Sequence, residues 1–389
     1  MSSNKALNIL HFPIWYPNKK SLSQGIFIQR HINAISLMHK CCVLFVTSNT
    51  ENKNEIEVNR INENFSEVIV YFKKPFSGLL NFMNFFFLVN AYFIGLKKVK
   101  SVLPKVDIFH HHIFDKKIVI SFLLSKINKK KFVFSEQWSG YYPQDGRFSG
   151  NLNKLISKIC ISGSNAITTV SQSLANAMQK HLIEGYFTVI PNVVNVNEFY
   201  PLDTKVKVER KLNALHVSAI NDKEKNISGM LRAVKNVVEK FPDFRLNIIG
   251  EHTERNKLEN YSIELGLERN VFFLGYVPFN QLLSYYHKAD FFLLFSYFET
   301  FSCVLAEALC SGIPVIATNA GGIPEFVNSK NGILIEPANE LELQNAIVSM
   351  IQNRINYSTQ ELSNSVINYV SPKSVAEKFN FVYSKILND

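Results

Sequence analysis

The chain has 389 residues, of which 47% are hydrophobic and 19% are charged. This composition excludes a disordered chain, and the length exceeds what one ordinary core needs and suits two α/β domains. A formal net charge of +10 favours an anionic partner, such as a nucleotide diphosphate, a phosphorylated lipid or an acidic membrane face. Nucleic acid is not an expected partner, because the Lys and Arg residues are scattered and form no basic helix or aromatic-basic repeat.

The N-terminal residues and the cysteines indicate the cellular compartment in which we expect the protein. The five cysteines are odd in number and show no C-x-x-C spacing, which favours a reducing environment over a disulfide framework. Residues 8–12 form a short strand-like run interrupted by polar residues, unlike a signal peptide. We therefore expect a cytoplasmic protein.

In the first half of the chain, apolar runs alternate with longer helical patterns, which is typical of βαβ units. The predicted strands lie near residues 7–12, 42–47, 108–111, 132–135 and 166–170. A helix is predicted over residues 25–39, where Ile28, Ile32, Ile35 and Met38 keep a spacing near 3.6.

Residues 79–96 are the most apolar stretch of the sequence. Three asparagines interrupt it, and a membrane-spanning helix would bury their amides at high cost: Asn81, Asn84 and Asn90. A buried or membrane-facing helix is predicted instead. The lysines at 97, 98 and 100 suit an anionic lipid surface at the cytoplasmic face of the inner membrane, and a solvated helix end explains them equally well.

A second set of units follows a polar linker over residues 191–203. Strands are predicted at 215–218, 245–250, 271–274, 291–295 and 314–317, with helices at 227–241, 280–289 and 303–310. The chain thus divides into a first domain over residues 1–190 and a second over residues 204–373. An amphipathic helix over about 374–389 is predicted to pack back onto the first domain. Two such sheets face a central cleft at the carboxyl ends of their strands, where we expect the chemistry.

The segment 296–312 follows a predicted strand and opens a helix that stops at Gly312. Thr300 or Ser302 is predicted to cap this helix, whose free amides and positive dipole end suit a diphosphate. Glu299 precedes the helix and Glu307 lies just over one turn inside it, so the two carboxylates reach different parts of one extended ligand. Vicinal sugar hydroxyls suit such carboxylates.

Glu307 stands among apolar neighbours, so a solvated helix surface does not explain it, and such an acid needs a partner. Downstream, Gly321 and Gly322 follow another predicted strand. Adjacent glycines let the backbone approach a ligand and present amides to it. Alone, this loop is an ordinary strand-to-helix turn.

Together these motifs resemble the large glycosyltransferase family 4, also called group 1. The similarity rests on the E-x7-E spacing of Glu299 and Glu307, on Gly-Ile-Pro-Val at 312–315 and on Ala-Gly-Gly-Ile-Pro-Glu at 320–325. It extends over 190–194, 250–251, 274–277, 331–332 and 335–337, and so covers the whole second half. Two N-terminal segments, 15–27 and 136–141, resemble members that assemble bacterial surface polysaccharides.

The resemblance implies a retaining GT-B enzyme that uses a UDP- or GDP-linked sugar, with no metal or other cofactor required. It places Glu307 on the ribose hydroxyls, Glu299 on the transferred sugar and Lys225 on the departing diphosphate. The amides near Phe301 and Ser302, with Gly321 and Gly322, face the diphosphate or sugar, and residues around Gly250, Glu251 and Val277 border the base. The cleft for a glycan or lipid-linked acceptor is expected to include Gly25, His110, Glu136, Trp138 and Tyr141.

Two positions depart from the family pattern. Ala219 stands where the family has an arginine, and Lys223 is predicted to restore that charge as a point charge only. Gln137 stands where members often have a histidine; it can donate a hydrogen bond to a sugar hydroxyl but cannot act as a general base.

Other functions stay open at this level. The departures at Ala219 and Gln137 allow a non-catalytic or weakly active subunit of a polysaccharide assembly complex. A nucleotide-sugar epimerase of the same fold is a further alternative, whereas a phosphorylase is disfavoured by the short chain. A membrane- or nucleic-acid-binding protein that uses only net charge is the least favoured reading of the sequence.

Overall fold

The computed structural model describes residues 6–49, 53–202, 212–353 and 357–388. The first domain is built on an eight-stranded sheet in the order β3-β4-β2-β1-β5-β6-β7-β8. Its strands are β1 (Asn8–Pro13), β2 (Lys40–Ser48), β3 (Glu55–Asn62), β4 (Phe65–Phe72), β5 (Ile108–His112), β6 (Lys131–Glu136), β7 (Ala166–Thr169) and β8 (Phe187–Val189). All pairs are parallel except β3 with β4.

Helices cover both faces of this sheet. They are α1 (Ile26–Ile35), α2 (Asn84–Val102), α3 (Ile118–Ile127), α4 (Asn151–Cys160) and α5 (Gln172–Lys180). The sequence analysis did not predict the β3–β4 hairpin. β3 is exposed along nearly its whole length, including its apolar residues Ile56 and Val58, whereas β4 is buried.

The second domain is built on a six-stranded parallel sheet in the order β11-β10-β9-β12-β13-β14. The strands are β9 (Asn213–Val217), β10 (Arg245–Ile249), β11 (Val271–Gly275), β12 (Phe291–Leu294), β13 (Val315–Thr318) and β14 (Gly332–Ile335). The helices are α6 (Asp222–Lys225), α7 (Ile227–Val238), α8 (Arg255–Glu264), α9 (Phe279–Lys288), α10 (Cys303–Cys310) and α11 (Glu340–Asn353). The prediction of two Rossmann-like α/β units is confirmed.

The chain crosses between the domains twice. The predicted linker leads out of the first domain, and its end at Asp203 and the start of the predicted second domain at 204–211 lie outside the described residues. The helices α12 (Thr359–Val370) and α13 (Pro372–Asn388) lead back, and α13 packs against α1 through Phe379 and Tyr383. The two crossings meet where the Val194 amide donates to the Val370 carbonyl at 3.1 Å.

Helix α2 belongs to the first domain. The segment Leu80–Val102 is, by length and composition alone, apolar enough to cross a membrane. One side of α2, however, packs on β2 and β4, and a Cβ at Gly95 would lie 2.4 Å from Leu44 Cδ1. Such close packing fixes the helix to the sheet. Its other side remains exposed at Phe85, Phe86 and Phe93.

A row of histidines is buried beneath α13. His110 lies with Nε2 at 2.6 Å from Ser135 Oγ and Nδ1 at 2.7 Å from Tyr383 Oη, and its ring stacks on His112. The prediction that His110 lines the cleft is therefore wrong, because both ring nitrogens are engaged and the side chain is fully buried. The sequence identifies His110 as a polar residue on a strand, but it does not show which layer of the fold covers that residue.

We expect the free energy of unfolding to fall as the pH drops from about 6.5 toward 4. Burial lowers the pKa of seven histidines, to about 3 for His11 and about 4 for His31, so the unfolded chain binds protons that the folded chain does not. Burial raises the pKa of Glu136 and Glu307, which acts in the opposite direction but involves fewer groups. Chemical denaturation across this pH range measures the slope.

The variant His111→Gln removes one of these groups and should flatten the slope, while His252→Gln, at an exposed position, should leave it unchanged. A stability that stays level or rises on acidification would contradict the assignment of these rings as neutral core residues.

Candidate active site

The cleft lies where the strands of both sheets end, and several contacts hold its two walls together. Glu325 accepts the backbone amides of Gln172 and Ser173 at the start of α5, each at 3.0 Å. A carboxylate at this position meets free amides and the positive end of the helix dipole. Nearby, a Cβ on Gly322 would come within 2.6 Å of Ser171 Cβ. The two domains are thus in direct contact along this edge of the cleft.

Glu299 and Lys225 form an ion pair in the second domain. Lys225 Nζ donates to Glu299 Oε1 at 2.6 Å, and Ser296 Oγ donates to the same oxygen at 2.9 Å. The side chains are only 16% and 11% exposed, so the pair is largely shielded from water. Lys225 occupies the end of α6, just before Asn226 in the left-handed conformation. The structure brings these two predicted catalytic residues together, with two ammonium hydrogens left for an anion.

Lys223 lies on the same short helix but does not join this pair. Side chains two residues apart on a helix point in different directions. Lys223 is exposed and makes no ion pair with the described residues, so the prediction that it restores the missing arginine's charge beside Lys225 is wrong. Ala219, at the position where the family has an arginine, is exposed and carries no charged side chain.

Glu307 is buried on α10 and has two partners that the sequence did not identify. Arg30 Nη1, from α1 of the first domain, lies 3.1 Å from Oε1, and Tyr286 Oη donates to Oε2 at 3.1 Å. Burial raises the pKa of Glu307, and the arginine opposes that shift. The Arg30 guanidinium also lies 4.4 Å from the centre of the Phe279 ring. A ribose that binds Glu307 therefore meets a carboxylate already paired with the opposite domain.

The start of α10 differs from the predicted cap. Ser302 occupies the cap position at φ 75 and makes no capping hydrogen bond through its side chain, and Thr300 does not replace it. The prediction of a Ser or Thr cap is wrong. Ser302 Oγ is buried without a partner, and within the described ranges the Phe301 and Ser302 amides have no acceptor. Left-handed backbone at a non-glycine residue costs about 1–3 kcal/mol and is typical of ligand sites.

The Phe301 side chain turns away from this opening. It is buried and its ring centre lies 5.0 Å from that of Phe326. Only its backbone is therefore available to a ligand, as the resemblance implies.

Gly321 and Gly322 pack against the backbone that carries Glu299. A Cβ on Gly321, at φ +56, would lie 1.6 Å from the Glu299 carbonyl oxygen, and the Gly322 amide donates to that oxygen at 3.3 Å. The prediction that the Gly322 amide faces a ligand is therefore wrong. Both glycines thus approach the Glu299 backbone closely, and a ligand contact of the Gly321 amide stays a prediction.

The expected base-binding corner is built by Gly250, Glu251 and Val277. Gly250 at φ +141 passes so close to β9 that a Cβ would lie 1.7 Å from the Ser218 carbonyl oxygen. Glu251 accepts from Arg255 Nη1 at 2.8 Å and from the Tyr276 amide at 3.1 Å, which fixes the loop after β11. Val277 packs into the core, while Tyr276 is 69% exposed beside it. The sequence did not single out Tyr276.

On the acceptor side, Gln137 Nε2 lies 2.9 Å from His31 Nδ1, and His31 Nε2 lies 2.9 Å from the Pro191 carbonyl oxygen. Gln137 Oε1 is buried without a partner. Burial lowers the pKa of His31 to about 4, so the imidazole is neutral near pH 7. Gly25 at φ +69 begins α1, and a Cβ there would meet the Trp15 carbonyl oxygen at 2.3 Å.

Glu136 and Tyr141 lie below the cleft surface, contrary to the prediction of acceptor contacts. The Glu136 carboxylate accepts the amides of Phe114, Gln137 and Trp138 at 2.9–3.1 Å, and burial raises its pKa to about 7. Tyr141 is buried with its ring centre 4.5 Å from that of Phe148. Both residues shape the loop. Trp138 stays partly exposed, with the Arg147 guanidinium 5.8 Å from its ring centre.

Three imidazoles are close enough together to hold a metal ion. The ligand atoms of His11, His110 and His112 lie within 4.8 Å of one another. These rings are fully buried beneath α13, and the hydrogen bonds of His110 already use both of its nitrogens. We assign the three residues to the core of the first domain.

Comparison with known proteins supports a GT-B glycosyltransferase. Residues 203–370 match the family Glycosyl transferases group 1. An uncharacterized glycosyltransferase of Methanocaldococcus jannaschii is 26% identical over 287 residues, 71% of this chain and 73% of the relative. A second uncharacterized glycosyltransferase of the same organism is 30% identical over 188 residues. That match covers 44% of this chain and 47% of the relative, so the chain spans about half of the relative's length.

Solved structures agree on the fold. The sucrose-phosphate synthase of Thermosynechococcus elongatus has a TM-score of 0.76 at 15% identity, covering 98% of this chain and 99% of that one. An Anabaena protein crystallised with UDP-glucose has a TM-score of 0.69 at 17% identity, covering 98% and 99%. The prediction of a GT-B fold is confirmed.

We expect Arg30→Ala to lower the free energy of unfolding by about 3 kcal/mol, because removing one partner leaves a buried carboxylate unpaired. The double variant with Glu307→Gln should cost clearly less than the sum of the two single variants. Chemical denaturation of the four proteins measures this coupling.

Arg232→Ala is the matched control. It breaks an ion pair with Glu340 whose side chains are 43% and 37% exposed, so it should cost less than about 1 kcal/mol. Additive effects at Arg30 and Glu307 would show that the two side chains do not depend on each other.

Proposed function

We propose that the protein is a retaining glycosyltransferase of family 4 that transfers a hexose-type sugar from a nucleotide-diphosphate sugar to a glycan or lipid-linked acceptor. The observation that carries this proposal is the shielded Lys225–Glu299 pair, held beside the uncapped start of α10. Cell-surface polysaccharide biosynthesis is the process that such an acceptor implies.

The donor fits this arrangement in one orientation. The diphosphate lies at the free amides of Phe301 and Ser302, where the helix start favours negative charge. Ser302 Oγ, buried without a partner, offers it a further hydrogen bond. Glu299 then accepts from the sugar hydroxyls, and the base lies toward Glu251 and Tyr276. The Anabaena neighbour was solved with UDP-glucose, which supports a uridine nucleotide, while a GDP-linked donor fits the same contacts.

The chemistry depends on the leaving group. As the glycosidic bond breaks, negative charge grows on the β-phosphate, and Lys225 and the α10 amides stabilise it. Gln137 lies on the acceptor side of the cleft with Nε2 against His31 Nδ1, and its amide has no basic group. Since Gln137 cannot take a proton, the acceptor proton leaves to the departing phosphate on the same face of the sugar. That geometry retains the anomeric configuration.

The first domain also suggests a location for the protein. We propose a cytoplasmic protein that contacts the inner face of the membrane through α2, with Phe85 and Phe86 58% and 66% exposed. Exposed aromatic side chains beside lysines suit the interface of an anionic bilayer. A lipid-linked acceptor would then reach the cleft without leaving the membrane.

The variant Lys225→Ala should lower the rate of sugar transfer about a hundredfold, because it removes one group that stabilises the transition-state charge. Lys223→Ala, on the same helix, should change the rate less than about twofold, because Lys223 is exposed and lies away from the reacting atoms. Donor hydrolysis and transfer are measured with UDP- and GDP-sugars, and NMR of the product reads the anomeric configuration.

Equal rates for Lys225→Ala and the unchanged protein would refute the assignment. Binding of the sugar nucleotide without turnover would instead favour the non-catalytic subunit, and an altered free sugar nucleotide would favour an epimerase.

The double variant Phe85→Ser with Phe86→Ser should reduce sedimentation with liposomes that contain phosphatidylglycerol, because each change removes apolar area from the bilayer. The matched control changes Ile263 and Leu341 to Ser in the second domain, where the side chains are 55% and 65% exposed. If both pairs reduce sedimentation equally, binding is non-specific and α2 is not the contact.

A further inference from the structure

A cavity of about 510 Å³ opens between α2 and α3 in the first domain. Its floor is apolar and includes Leu10, Leu96, Leu103 and Phe109. The volume lies within the range of about 300–1,000 Å³ that is usual for small-molecule sites. Val106 and Lys130, which also line it, lie two residues before β5 and one residue before β6. The cavity therefore lies at the amino ends of the strands, away from the donor and acceptor cleft.

Four lysines line the same cavity: Lys97, Lys100, Lys105 and Lys130. No carboxylate lines it among the described residues. Lys105, with its side chain 70% exposed, lies 3.6 Å from Asp107, which is the one acidic contact of these four in the part of the chain that the structure describes. An apolar floor with an uncompensated positive rim is complementary to a chain that ends in an anion.

The helix that borders the cavity also carries the exposed aromatic residues. Phe86, Phe93, Lys97 and Lys100 follow one another at spacings of seven, four and three, so they lie on one side of α2. Phe93 is 59% exposed and lines the cavity itself. This side of α2 thus passes from exposed aromatic surface into the lysine-lined opening.

We propose that this cavity binds one anionic lipid, with an acyl chain on the apolar floor and the phosphate of its headgroup on the lysines. The inference deepens the proposed membrane contact and rests on it. A free phosphate would leave the apolar floor unused, and a neutral lipid would leave the lysines without a counter-charge. The partner is therefore a membrane phospholipid rather than the acceptor, because the acceptor cleft lies at the opposite ends of the strands.

Isothermal titration of the full chain with single-chain lipids tests this. Oleoyl lysophosphatidic acid, below its micelle concentration, should bind one to one and raise the melting temperature. Monooleoylglycerol, with the same chain and no phosphate, should bind at least tenfold more weakly. Inorganic phosphate alone should give no shift.

The variant Lys97→Gln with Lys100→Gln should weaken lysophosphatidic acid binding by roughly thirtyfold, since each lysine at an anionic lipid surface contributes about fivefold. Lys180→Gln with Lys235→Gln changes the net charge equally at exposed sites that do not line the cavity and should leave binding unchanged. Val106→Phe narrows the cavity and should weaken both lipids while it keeps the melting temperature of the free protein.

Equal binding of the two lipids, or equal losses in the two lysine pairs, would overturn the proposal. So would a response to inorganic phosphate alone. The cavity variants leave Lys225 and Glu299 in place, so donor hydrolysis in detergent should stay unchanged. Absence of lipid binding by the unchanged protein, with its hydrolysis intact, refutes only this inference, and absence of hydrolysis from the unchanged protein and every cavity variant refutes the proposed enzyme.

Discussion

Burial of the Glu307 carboxylate is the constraint on which the arrangement of the two domains depends. An ionised carboxylate inside an apolar helix is costly unless a cation and hydrogen bonds surround it. Tyr286 supplies one bond from the same domain, but the cation, Arg30, belongs to the other. The position of α1 relative to α10 is therefore tied to the charge of one side chain. On the proposed function, a nucleotide that contacts Glu307 would change the strength of this interdomain ion pair.

The second-domain side of the site also depends on a carboxylate that is paired with a cation. Lys225 and Ser296 both donate to the Glu299 carboxylate, and the Glu299 backbone is held by the close approach of Gly321. These contacts leave the start of α10 without a cap, and Ser302 adopts a left-handed backbone there. Local rules that favour a capped helix are not followed at this point, which is typical of ligand sites and agrees with the proposed function.

The sequence predicted the fold well and the surroundings of the candidate site residues poorly. Parallel strands buried on both faces leave continuous apolar runs, so most strands of the two sheets were predictable. Exposed β3 left no such run, and buried β4 and the short β8 and β14 were not predicted either. The need of Glu307 for a partner was also predictable from its apolar neighbours. That the partner is Arg30 was not, because the two residues lie far apart in the chain and meet only through tertiary packing. Likewise, His110, Glu136 and Tyr141 are polar residues near strand ends, but only the structure shows the layers that cover them.

The meeting of the two chain crossings at Val194 and Val370 has a mechanical consequence. Both chain segments that connect the domains pass through this place, so a rotation of one domain relative to the other would turn about it. Such a rotation would first have to break the contacts of Arg30 with Glu307 and of Glu325 with the start of α5. Widening of the cleft for a larger substrate would therefore depend on how readily these two interdomain contacts part.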